Sequence, residues 1–205
     1  MPESRMTELE SLTIIQNMIQ TAKDEQKDNG VGWISWGWLL FLASALSVVN
    51  EHTHWYSQYF FWNIFGICTI ILSLVAVFRS NVFQKRPIVK TYTSALFQKL
   101  NIGFAITLMI LIVALNKGLS PLFGFALLSS LYGFWILIYG AALQFRPSLI
   151  GAYFTWACSL AGLFVHTFEY SMILHGLGVL AGYIIPGHLA WKEFQKTKRA
   201  KDLHV

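Results

Sequence analysis

The chain has 205 residues, of which 55% are hydrophobic, 16% aromatic and only 12% charged, with a formal net charge of +5. That balance excludes an ordinary soluble domain and indicates an all-α, polytopic membrane protein. The basic surplus does not point to nucleic acid, because the charges sit in loops and at the chain ends, where bases set membrane topology.

In chain order, Thr7 to Glu10 has the T-x-x-E form of a capping box. Leu9, Leu12, Ile15, Ile19 and Ala22 then recur at helical spacing, which predicts a cytoplasmic amphipathic helix ending near Asp28, where Asn29 and Gly30 stop it. The segment is too polar for a signal peptide and is expected to persist in the mature protein. Residues 1–32 thus form an entry segment, 33–191 a bundle of six transmembrane helices, and 192–205 a basic cytoplasmic tail.

Trp33, Trp36 and Trp38 mark entry into the bilayer, since indole rings favour its interface. The first span is expected to end near Asn50, and the second to run from Tyr59 to Phe78. After a basic loop, the third starts near Thr93 and ends at Asn116. Ser120 followed by Pro121 opens the fourth, which continues to Leu143. Arg146 and Pro147 lead into a fifth reaching Thr167. The sixth, Ser171 to Trp191, holds four glycines, and Pro186 removes the helical partner of the Gly182 carbonyl, which predicts a kink.

The bases orient this ladder. Three lie in the N-terminal segment, five between Arg79 and Lys99, one at Arg146 and five in the tail, whereas Lys117 stands alone on the other side. The positive-inside rule puts both termini in the cytoplasm.

Small residues recur along the spans. Gly133 in the fourth, Gly151, Thr155, Ser159 and Gly162 in the fifth, and Gly178 and Gly182 in the sixth mark seams where helices approach closely. Leucine at Gly178 or Gly182 should therefore impair folding, while leucine at Val179 should be mild. Cys68 and Cys158, both within apolar runs, read as packing residues. Apart from Lys99 at the foot of the third span, no charged side chain lies deep in a span, which disfavours proton-coupled transport.

Histidine is the one candidate for chemistry. Under this topology His52, His54, His166 and His175 gather at the outer face with Glu51 and Glu169. His166 and His175, at similar depths on adjacent spans, are candidate ligands for a metal ion or haem iron, with His54 or Glu169 completing or orienting the site.

Two resemblances bear on this pattern. His175-x-x-Gly178-x-x-x-Gly182 resembles the histidine-bearing last core helix of rhomboid intramembrane proteases, which implies a serine nucleophile on the fourth helix. Matching Tyr132-Gly133 to that family's aromatic-glycine pair puts Leu128 at the nucleophile position, and the family's Trp-Arg pair is absent. The segments Trp36-Gly37-Trp38, Lys90-Thr91-Tyr92-Thr93 and Gly182-Tyr183-Ile184-Ile185-Pro186-Gly187 resemble an uncharacterised family of small bacterial six-helix membrane proteins, across nearly the whole chain. That resemblance implies a fold and no activity. The function expected is a non-enzymatic accessory or sensor component that lies in the lipid bilayer and receives a membrane or cytoplasmic protein partner. The outer-face metal or haem site and a small-solute carrier or channel are the alternatives.

Overall fold

The computed structural model describes residues 30–83 and 92–202, all of whose regular structure is helical. The expected amphipathic N-terminal helix, most of the basic loop and the Lys90-Thr91 motif lie outside the described residues. The helices are α1 (Val31–Thr53), α2 (Phe60–Phe83), α3 (Tyr92–Asn116), α4 (Pro121–Leu143), α5 (Arg146–Gly162) and α6, which starts at Phe168 and runs to Asp202. Four stretches are long and apolar enough to cross a membrane: Val31–Thr53, Leu96–Asn116, Pro121–Leu143 and Phe168–Lys196. A shorter apolar stretch, Phe60–Leu72, lies in α2.

The core is made by α1, α4, α5 and α6, with α2 packed on α1 and α3 on α4. Helix α6 runs through the middle, between α1 on one side and α4 and α5 on the other. Its Met172, His175, Val179 and Tyr183 are buried together with Leu40, Phe125, Tyr132 and Ile136. Helix α3 instead exposes Ile102, Ile106, Met109, Ile110 and Val113, an apolar flank suited to contact with lipid tails.

Close approach rests on missing side chains. A Cβ at Gly37 would come within 2.9 Å of the Tyr183 and Ile184 side chains, fixing α1 against α6. At Gly133 it would meet the Trp156 indole at 2.6 Å, so this glycine lets α5 lay its tryptophan across α4. The indole N–H then donates to the Ser130 carbonyl at 3.0 Å, and Ser159 donates to the Ala126 carbonyl at 2.7 Å. These hydrogen bonds between helices are the polar adhesive expected where water cannot compete.

One expected bound changes. Helix α5 ends at Gly162, so His166 lies on the link to α6 rather than on a helix. The chain turns there, and Thr167 caps α6 by accepting from the Tyr170 N–H. Pro186 is accommodated by a π-helical segment, Leu180–Ile184, in which the Ile185 N–H reaches the Leu180 carbonyl. The wider register is how the helix passes a residue with no N–H to donate. Residues 192–202 continue α6 as helix.

At the end of the bundle away from the tail, Asn50 organises the α1–α2 turn. Its Nδ2 donates to the Tyr56 carbonyl at 3.0 Å, and its Oδ1 accepts from the Tyr56 N–H at 2.9 Å. Asn50→Ala removes both bonds and strands two backbone groups, so a loss of about 1–3 kcal/mol is expected in detergent unfolding. Unfolding at the wild-type midpoint would show that water replaces the amide without cost.

Candidate functional site

His175 lies two turns into α6, about 10 Å along its axis at 1.5 Å per residue. Its side chain is buried, at 2% exposure. Three rings surround the imidazole. Trp62 of α2 stacks on it with centroids 5.2 Å apart and planes 23° apart, and Phe125 and Tyr132 of α4 stand at 5.7 Å.

Neither ring nitrogen of His175 has a hydrogen-bond partner, nor do Trp62 Nε1 and Thr69 Oγ1 on α2. These are the only unpartnered buried side-chain nitrogen and oxygen atoms among the described residues. The remaining interior is well satisfied. Ser44 and Ser47 donate to the carbonyls of Leu40 and Ala43, and Thr155 Oγ1 lies 2.8 Å from the Gly151 carbonyl and 2.9 Å from that of Gly178. Each orphaned buried polar group costs about 1–3 kcal/mol. Three of these four atoms belong to the stacked pair His175 and Trp62, and the fourth lies two turns further along α2.

The expected histidine site is divided. Glu169 pairs with His52 at 3.1 Å rather than with His54, linking the last turn of α1 to the first turn of α6. A carboxylate at a helix N-terminus and a histidine at a helix C-terminus each suit the local dipole. His54 is exposed and holds the turn after α1 at φ 51°, with its N–H on the Asn50 carbonyl. His166 is exposed on the α5–α6 link, whereas His175 lies inside among aromatic rings. The similar depth expected for those two depended on α5 extending to Thr167, and it stops five residues earlier. Among the described residues, no group of three or more His, Cys, Asp or Glu side chains is placed to share a metal ion.

The rhomboid pattern likewise lacks its contact. Leu128 is buried as a hydrocarbon group, and no hydroxyl is hydrogen-bonded to His175.

The glycines separate by what surrounds them. A Cβ on Gly182 would strike Ile136 at 2.5 Å and Thr155 Oγ1 at 2.7 Å, whereas at Gly178 and Gly162 its nearest neighbours lie 3.4 Å away. Val179 is not a mild position: only 1% exposed, it is core.

Trp62 is the partner of His175 that sequence reasoning missed, because 113 positions separate the two and only the packing of α2 brings them together. No family model matches the chain, and no curated protein or solved structure is significantly similar to it.

Proposed function

We propose that this chain is a six-span protein of the bacterial inner membrane, with both termini cytoplasmic, and that it works as a non-enzymatic sensor or accessory component. The observation that carries the reading is the His175 chamber. An imidazole enclosed by rings, with no nucleophile or carboxylate bonded to it, is suited to recognition rather than to general-base chemistry. Four long apolar helices support the membrane placement. The remaining two spans are α2, apolar over Phe60–Leu72, and α5, whose 17 residues extend about 26 Å at 1.5 Å per residue. The cytoplasmic side, with the N-terminal segment, the basic loop and the end of α6, is where a protein partner docks.

Reporters placed after Val205 and at Lys85 should both be cytoplasmic, and one at Lys117 external. A C-terminus cut by protease in intact cells would overturn the topology. For the role, crosslinking in the native membrane followed by mild-detergent purification should retain a distinct protein partner in stable proportion. A protein recovered alone after crosslinking would remove the accessory reading.

A further inference from the structure

Helix α2 carries Trp62, the ring stacked on His175, on a face that also holds open room. Trp62, Phe65, Gly66 and Thr69 fall at i, i+3, i+4 and i+7, on one face of the helix. Trp62 and Thr69 carry the two unpartnered atoms outside His175. Gly66 sits between them, half-buried, and a Cβ there would find nothing within 4 Å. Helices α2 and α3 lean on α1 and α4 respectively and do not pack along each other. Unmet polar groups and open room thus share one face of α2, beside the imidazole that Trp62 covers, and we read this face as a slot open toward the position lipid would occupy.

The chemistry of the slot limits what fits. None of its groups carries a fixed charge, so the ligand is neutral. The Trp62 indole offers one N–H, and neutral His175 offers one N–H and one acceptor nitrogen. The ring faces of Trp62, Phe125 and Tyr132 select a flat body. Open room beside Gly66 admits an apolar tail, and Trp62 covers His175 from a helix whose main support is α1 alone, so the indole is the element best placed to yield to an incoming ring. We propose that the chamber binds a lipophilic quinone or quinol from the bilayer, with ring oxygens on Trp62 and His175 and the tail along Gly66. A quinone accepts from both N–H groups, while a quinol hydroxyl donates to the same imidazole nitrogen once the tautomer moves its proton to the other, so one site receives both forms.

This assignment rests on the sensor reading above and names the ligand of that same site. The test uses the full-length purified protein and two probes: a decyl-substituted benzoquinone with every ring position filled, so that neither cysteine can add to it, and the same decyl-substituted ring lacking its two carbonyls. Binding is read from the shift in thermal unfolding and from the mass of retained ligand. The quinone should bind, the carbonyl-free ring should not, and His175→Phe should weaken quinone binding about tenfold. Trp62→Phe, which keeps an aromatic ring but removes the N–H, should weaken it severalfold and carries the comparison if His175→Phe does not fold. Equal binding of both probes, binding of neither, or undiminished quinone binding in the folded variants would overturn the assignment. Because crosslinking reports the partner independently, a protein that retains its partner but ignores the quinone loses the ligand and not the accessory role.

Discussion

Gly151→Ala should be the most damaging single-methyl change in the bundle. The added Cβ would meet the carbonyl oxygen of Ala181, and Gly182 Cα would lie 3.0 Å from it. Both are backbone atoms of the π-helical segment, so no rotamer change relieves the clash. Either α5 moves away from α6 or the π turn shifts, and the first would pull Thr155 from the Gly178 carbonyl that it holds at 2.9 Å. Overpacking of a dense core costs about 1–3 kcal/mol, and a backbone obstacle puts this case at the upper end. Gly178→Ala, with 3.4 Å to its nearest neighbour, should cost well under half as much. Leucine at Gly182 should fail outright, while changes at exposed Leu177 should be tolerated. Denaturant titration of the four variants in one detergent checks the order. Equal stability of Gly151→Ala and Gly178→Ala would show that α5 and α6 are not in the contact described.

That ranking is where sequence and structure part. The bounds of α4 were legible because Ser120 and Pro121 begin it and the Arg146-Pro147 pair restarts the chain after it. The end of α5 was not: the stripe of small residues keeps its period through His166, and periodicity alone does not register that the helix stops at Gly162. Treating Gly178 and Gly182 alike, and Val179 as an outward residue, assumed that α6 has one buried face. It has neighbours on opposite sides, so a position turned away from α5 can still be core. Likewise, His175 was conspicuous in the sequence as a histidine within a glycine-rich span, yet its surroundings were not. Its enclosure is made by Trp62, Phe125 and Tyr132, from two other helices, and no local pattern encodes that meeting.

His175→Phe should stabilise the ligand-free protein. The substitution keeps a flat ring of similar size between Trp62, Phe125 and Tyr132 while removing both nitrogens that lack partners. Replacing an orphaned buried polar group with an apolar one of like shape recovers its desolvation cost, about 1–3 kcal/mol. Against this stand the slightly larger phenyl ring and the loss of imidazole stacking, each smaller than that gain where an open position at Gly66 lies along the same face of α2. A natural side chain that makes the bundle less stable than its simplest replacement is the pattern expected of a binding site, where stability yields to recognition. The measurement is the unfolding midpoint of wild type and His175→Phe, each stripped of copurifying lipophiles and compared at one pH where the imidazole is neutral. Asn at the same position should be worse than either, since it adds polar atoms and fills less space. A His175→Phe protein that unfolds earlier than wild type would mean that the imidazole nitrogens are satisfied in the folded state, by enclosed water bridging to Trp62 Nε1. In that case the chamber would be a hydrated structural node, its histidine retained for stability rather than held in reserve for a ligand.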